Sequence, residues 1–541
     1  MKIRVSELRI GIDEDTDILL QLACQKLKIS ANQVNNWWIE RQALDARRKR
    51  EIAFVYTVVL DIKKPNIGEI PPKSSIVDQE EKLSIVRGNN YLKYPPLVIG
   101  TGPAGLFAAW LLAKWGYKPI VLERGNDVFA RQMDVSKFWE EGLLDPDSNV
   151  QFGEGGAGTF SDGKLTTRIK DKRVSLILQA LTDAGAPKEI LYQAKPHLGT
   201  DKLRNIVANI RKEIISLGGK VIFRAKVTDF ITKKGVLEAV IINNKHELPV
   251  SRCILATGHS ARDVYEKLWE IGIKMEAKPF AVGLRIEHPQ HMIDCAQYGE
   301  WAGNPRLGAA DYHLTYRDTN SNRAAYTFCM CPGGYVVGAT SEPDMLAVNG
   351  MSYHDRSSGI SNSAVVVSVG EKDFDYKDPL SGMEFQRQIE KDAYKLGGGK
   401  YIAPVQTAED FINDTIKETP SRLKQATYKP NVTEANLRDC LPKEISEVLG
   451  EALQDFNKKI WGFGTNKGIL TGVETRTSAP LRILRDEKYQ AINIEGLYPA
   501  GEGAGYAGGI ISAAVDGIRV AQSIIETYGL PKEKNITVFS E

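Results

Sequence analysis

PPLVIGTGPAGLFAAWLLAKWGYKPIVLERG, residues 95–125, decides how the rest of the chain is read. PLVIG (96–100) is an apolar run of strand length that ends in a glycine. Gly100 permits a tight turn, Gly102 lets backbone approach a pyrophosphate, and Gly105 lets the next helix pack close to a sheet. That helix is expected over 103–115. Pro103 suits its first turn, Ala104, Ala108 and Ala109 are small, and Gly116 stops it. Its N-terminal amides and dipole favour a diphosphate's negative charge. A second strand, KPIVLE (118–123), ends in Glu123, 18 residues after Gly105. A carboxylate there can accept the ribose hydroxyls of an adenosine. Gly100, Gly102, Pro103, Ala104, Gly105, Glu123 and Arg124 are therefore the expected nucleotide contacts.

The same GxGxxG spacing occurs twice more, and context separates the three. Gly153, Gly155 and Gly158 lie in FGEGGAGTFSDGKL (152–165). No apolar strand precedes this string and no apolar helix follows directly. It reads as a loop wrapping a cofactor held by the first unit, with Gly156, Ser161, Asp162 and Gly163 as contacts; a plain flexible loop is the alternative. Gly503, Gly505 and Gly508 lie between a strand, GLYPA, and a long helix (510–527). No second βαβ strand with an acid follows. This matches the late strand of single-nucleotide flavoproteins, which brings an acid to the ribityl chain and points a helix N-terminus at the flavin's pyrimidine edge. Glu502 occupies the acid position, where Asp is usual. Gly501, Gly508, Gly509 and Ile510 are its expected neighbours.

Outward from these motifs the chain divides. Residues 1–62 read as a small α+β unit. KIRVSELRI alternates like a strand, Asp15 or Thr16 caps a helix through Lys28, and EIAFVYTVVLDI (51–62) is a second strand. RQALDARRKR (41–50) reads as a solvated basic edge. Residues 63–94 are rich in Pro, Gly, Lys and Glu and read as a linker with one short helix. The FAD-binding domain runs over 95–271, with a helix (202–217) and strands KVIF, KVTDFIT, LEAVII, ELPV and CILATG; Val227, in the second strand, is an expected cofactor contact. A mixed α/β segment, 272–460, is an inserted substrate or cap domain, and 461–541 returns to the FAD-binding domain. The expected class is α/β: a Rossmann-type domain split by an insertion, plus the N-terminal α+β domain.

At 541 residues, two or three domains are expected. A net charge of +2 argues neither for nor against nucleic acid. The best apolar run, FAAWLLA (107–113), ends at Lys114, far short of a membrane helix, and the N-terminus shows no signal-peptide pattern. Six scattered cysteines do not suit a disulfide scaffold, so a cytoplasmic protein with reduced thiols is expected.

A flavin carries its own redox chemistry, which leaves orientation and electrostatics to the protein. No His/Cys/Asp cluster has metal spacing. Cys329 and Cys331, in CMCPGG (329–334), are either two buried residues before a glycine turn or a thiol near the flavin. Thr257 and Gly258 end a strand beside the cofactor, and His259 follows as a polar pocket group or a cap. Arg476, in GVETRTSAP, meets an anionic substrate or pairs with Glu474. Arg285 and Glu287 alternate on one strand and read equally as a surface pair.

The chain resembles the bacterial FAD-dependent, NAD(FAD)-utilising dehydrogenases of unassigned substrate, distant relatives of the glutathione-reductase-like and hydroxybenzoate-hydroxylase-like flavoproteins. Its carriers span nearly the whole chain: LDARRK (44–49), VIGTGPAGLFAA (98–109), GEGGAGTFSDGKL (153–165), HLGTDKL (197–203), ILATGHSARD (254–263), FAVGLRIEHPQ (280–290), FCMCPGGYVVGATSE (328–342), NGMSYHDR (349–356), GVETRTSAPLRI (472–483) and YPAGEGAGYAGGI (498–510). The resemblance implies FAD, a split cofactor domain and an N-terminal appendage, and supplies no substrate. The leading expectation is an FAD-dependent oxidoreductase of a small-molecule substrate, with NAD(P)H as a transient electron donor. The rivals are a flavoenzyme acting on RNA through the basic N-terminal module and a non-catalytic flavin-binding protein.

Overall fold

The structure, a computed structural model, describes residues 1–63, 70–77, 83–416 and 425–533. Its centre is a five-stranded parallel sheet in the order Leu497–Pro499, Cys253–Leu255, Leu97–Ile99, Ile120–Leu122, Lys220–Ile222. All five are short, and all but the edge strand Lys220–Ile222 are buried, as parallel strands covered by helices must be. The helix Pro103–Lys114 is buried from Ala104 to Ala113 because it lies between the sheet and two further helices, Gly199–Ser216 and Ile510–Thr527. Gly517 makes the closest approach: a Cβ there would overlap the backbone of Ala104. Strands Val227–Lys233, Val236–Ile242 and His246–Pro249 form a separate antiparallel sheet beside the parallel one.

The inserted segment is built on a seven-stranded sheet in the order Thr315–Arg317, Ala324–Cys331, Ile360–Val369, Phe280–Pro289, Ile469–Glu474, Ala403–Thr407, Val432–Glu434. The chain leaves the nucleotide unit through Met275–Ala277 and comes back through Leu481–Ile483, and these two stretches pair antiparallel. The return expected at 461 therefore comes after Glu474, because Ile469–Glu474 is an inner strand of the inserted sheet.

The N-terminal unit is a four-stranded antiparallel sheet in the order Val34–Asp45, Ala53–Ile62, Lys2–Gly11, Ser74–Ile76, with the helix Ile18–Leu27 against it. Three expectations change. The helix starts after Asp17, not Asp15 or Thr16. Part of the basic stretch 41–50 belongs to the strand Val34–Asp45, whose residues are exposed or half-buried and so show no clean alternation. In the linker, Ser74–Ile76 adds an edge strand and no helix occurs among its described residues; 64–69 and 78–82 lie outside them. Among the described residues no helix is long and apolar enough to cross a membrane.

Candidate functional site

One continuous cleft runs from Ala225 and Val227, past the start of the helix Pro103–Lys114, to Phe328 and Cys329 of the inserted sheet. At its first end it is lined by Gly100, Glu123, Arg124 and Val227. Glu123 is held firmly: one carboxylate oxygen accepts from the Thr101 amide at 2.9 Å and its hydroxyl at 2.6 Å, the other from the amides of Gly125 and Gly153, both at 3.0 Å. The acid expected to serve ribose hydroxyls thus also clamps two glycine turns together. Arg124 donates to Asp263 at 3.0 Å and lies over the Phe152 ring.

Gly102, Pro103, Ala104 and Gly156 line the middle. Two glycines of the fingerprint differ in why they are glycine. A Cβ on Gly105 would overlap the Gly100 carbonyl, so packing alone forbids a side chain, and Gly105 does not reach the cleft. Gly102 has ordinary backbone angles (φ −63°, ψ 177°), and a Cβ there would meet only Gly156 Cα, at 3.9 Å. The space in front of Gly102 is left open by the protein and is the place a diphosphate would fill.

The loop 153–163 is shaped by a residue the sequence reading missed. Arg131, fully buried, donates to the carbonyls of Asn149 (2.8 Å), Val150 (2.9 Å), Glu154 (2.7 Å) and Gly156 (2.9 Å). Ser161, Asp162 and Gly163 line the cleft, with their polar atoms engaged inside the protein. Ser161 donates to the Gly158 carbonyl at 2.7 Å and accepts from the Gly163 amide. Asp162 is clasped by Arg356 at 2.6 and 3.0 Å, by Lys164 at 2.9 Å and by the Ser352 hydroxyl. Lys164 and Arg356 hold its carboxyl down at about 2 although burial pushes the other way. Asp162 thereby ties the glycine loop to the insertion.

At the far end stand Thr257, Gly258, His259, Cys329, Glu474, Arg476, Glu502, Gly509 and Ile510. Gly501 and Gly508 lie behind this wall. Gly501 packs against Ala104 and donates to Asp516, and Gly508 donates to the Ser512 hydroxyl. His259 Nε2 is 3.9 Å from Glu502. Burial, with Arg476 and Arg262 nearby, drops the imidazole to about 3, so it is neutral at ordinary pH. Burial raises Glu502 to about 7. Arg476 does not pair with Glu474. It donates to Glu390 at 2.8 and 3.0 Å and to Ser341 at 2.6 Å, while Glu474 pairs with Arg285.

Arg285 and Glu287 are buried, not a surface pair. Glu287 accepts from the Thr427 amide and hydroxyl, and burial raises it to about 7. Arg285 donates to Glu474 (3.0 Å), Asn362 (2.8 Å), the Cys329 carbonyl (2.7 Å) and Cys331 Sγ (3.5 Å). Burial raises Glu474 to about 7 against the pull of Arg285. An extra residue between Phe328 and Cys331 bulges the strand and leaves Cys329 left-handed, at φ 46°. The bulge turns Cys329 into the cleft. Cys331 is buried beneath it and donates to the Cys329 carbonyl at 3.3 Å. The hydrogen bond from Cys331, with Lys164 and Arg285 beside it, lowers the Cys329 thiol. Of the CxC pair, Cys329 lines the cleft and Cys331 does not. Among the described residues no group of His, Cys, Asp and Glu is placed to hold a metal.

The cleft lies on the parallel nucleotide sheet beneath the insertion, and the family models that match the chain mark it as an FAD-dependent oxidoreductase. Residues 94–268 match the pyridine nucleotide-disulphide oxidoreductase model, 279–477 match the FAD-dependent protein C-terminal domain, and 2–61 match a domain of unknown function. The chain is 49% identical over 535 residues to an uncharacterized protein of Clostridium beijerinckii, covering 98% of this chain and 100% of that one. It belongs to the same family as that protein, and it carries the FAD-dependent C-terminal domain and the pyridine nucleotide-disulphide oxidoreductase domain. Solved structures similar to it include CtdE in complex with FAD (10% identity, TM-score 0.31, 80% of this chain and 88% of that one). Another is a geranylgeranyl bacteriochlorophyll reductase-like protein of Thermoplasma acidophilum (13%, 0.33, 80% and 78%).

Proposed function

We propose that the cleft holds one FAD in an extended form, with adenosine between Glu123 and Val227, diphosphate before Gly102–Ala104, and isoalloxazine between the 156–164 loop and Cys329. The carrying observation is the open space at Gly102 within a cleft that continues to the inserted sheet. When bound, the flavin supplies the electron transfer. The chain's own residues do the rest. The amides at the helix start face the diphosphate's charge. The roof of the inserted sheet excludes water. Glu474 and Glu502, raised towards neutrality, can hold or release a proton at the ring end. Cys329 presents its sulfur to the same space. A small-molecule substrate and NAD(P)H as transient donor fit this reading, because the described residues contain one parallel nucleotide sheet and the donor would have to visit the flavin face. Arg47 and Arg48 of the N-terminal segment pair with Asp45 and Glu51, and no nucleic-acid partner is proposed.

The test is flavin content. Purified protein should show oxidised-flavin absorbance, and Gly102→Val should fold normally yet lose it. A folded Gly102→Val with full flavin overturns the placement. Anaerobic mixing with NADH or NADPH should bleach the flavin band; an unchanged band with both removes the nicotinamide donor. Cys329→Ser should keep the flavin and change its rate of reduction or reoxidation; unchanged rates would leave the thiol to packing.

A further inference from the structure

A second cavity, of about 280 Å³, backs onto the first and is used by nothing described above. The wall between them is the turn Ala157–Phe160 and the strand Val348–Ser352. Ala157, Gly158 and Asn349 face the flavin cleft, whereas Phe160 and Met351 face the second cavity. Its lining mixes aromatic and apolar side chains with the polar Gln132, Ser136, Thr200 and Thr427. Phe160 and Met351 are buried, Trp139 meets Phe160 edge-on at 6.0 Å, and Tyr335 meets Tyr353 edge-on at 6.1 Å. Flat aromatic walls with a wet edge suit a planar ligand.

Its charged lining is Arg204 and Lys429 with one carboxylate, Glu140. Arg204 donates through Nε to the Thr200 carbonyl at 3.2 Å. No carboxylate among the described residues forms an ion pair with Arg204 or Lys429, in a protein where most arginines do pair. A guanidinium beside an aromatic cavity, with its fork uncommitted, is arranged to meet a carboxylate, sulfonate or phosphate.

We propose that this cavity binds a planar aromatic anion, with its ring against Phe160 and Tyr335 and its charged group on Arg204 and Lys429. The site is independent of the flavin reading, because none of these residues faces the flavin cleft.

The probe is 8-anilinonaphthalene-1-sulfonate, titrated by fluorescence into the purified full chain with its flavin content measured separately. Arg204→Leu and Lys429→Leu change solvent-facing cations and leave the floor intact. A charge-assisted contact of ordinary strength corresponds to about a tenfold loss of affinity for the sulfonate in Arg204→Leu. Affinity for the uncharged analogue N-phenyl-1-naphthylamine should be unchanged, and Tyr335→Ala should weaken both probes. Unaltered sulfonate affinity in both cation variants overturns the proposal. So does displacement of the probe by added FAD, which would place it in the first cleft. Protein without flavin that still binds the sulfonate through Arg204 would refute the flavin reading and uphold this one.

Discussion

Each end of the flavin cleft is organised around a buried arginine, and the two do opposite kinds of work. Arg131, at the nucleotide end, donates only to backbone carbonyls of the loop it shapes. Arg285, at the ring end, gathers side chains from different strands: Glu474, Asn362 and Cys331, with the Cys329 carbonyl. The first fixes a backbone shape, which many sequences could present. The second depends on the identity of each partner. Burial lowers Arg131 to about 10, whereas Arg285 is raised by Glu474 in spite of its burial. The nucleotide end is therefore a matter of conformation, and the ring end a matter of charge.

That contrast can be broken by pH. Arg285→Met leaves Glu474 buried without its cation and should cost about 3–5 kcal/mol at pH 8. At pH 5.5 Glu474 can take up a proton, so the cost should shrink. Arg131→Met strands carbonyls, which do not titrate, and its only link to pH is through the more distant charges of Glu123, Glu154 and Asp134, so its cost should change with pH much less than that of Arg285→Met. Urea unfolding of both variants at the two pH values reads the difference. Equal pH dependence in both would erase the distinction.

Glu474 itself sharpens the comparison. Its carboxyl is raised from 4.5 to about 7 by burial. The folded protein therefore binds a proton more tightly than the unfolded chain does, and the stability this contributes is complete below about pH 4.5 and lost as pH rises to about 7. Glu474→Gln should remove that slope, an effect on the order of 2–3 kcal/mol between pH 4.5 and 7.5. An unchanged slope in the variant would place the titration elsewhere, with Glu287 and Glu502 the next groups to replace.

The same division explains what could be read from the sequence. The nucleotide end is written locally: strand, glycine turn, helix and acid lie within 29 residues, Leu97 to Gly125, and each has a spacing that chemistry dictates. The ring end is assembled from residues hundreds apart. Arg285 and Glu474 belong to neighbouring strands, and Cys329 is turned into the cleft by a one-residue bulge that no alternation pattern announces. Arg285 and Glu287 looked like a surface pair because alternating charge on a strand ordinarily means a wet face. Here both faces of that strand are covered. Arg131 had no local signal, since its partners are carbonyls. The strand Val34–Asp45 was missed for the opposite reason: it is half-exposed along its length.

The smallest effect is expected where the nucleotide end meets ordinary helix chemistry. Asp127 begins the helix Val128–Glu141 and accepts from the amides of Phe129 at 3.0 Å and Ala130 at 3.4 Å. Removing an N-cap oxygen leaves those amides to water and costs about 1 kcal/mol. Asp127→Ala should lower the unfolding free energy measured in urea by that amount, and Asp127→Asn, which keeps an acceptor, should restore most of it. Arg131 lies on the first turn of the same helix, so the variant also asks whether the cap positions the arginine. If Arg131 is held by its carbonyls alone, flavin content in Asp127→Ala should match the parent. Loss of flavin together with a cost near 1 kcal/mol would show that the cap sets the arginine's reach, making the glycine loop depend on the helix start and not only on the fork that grips it.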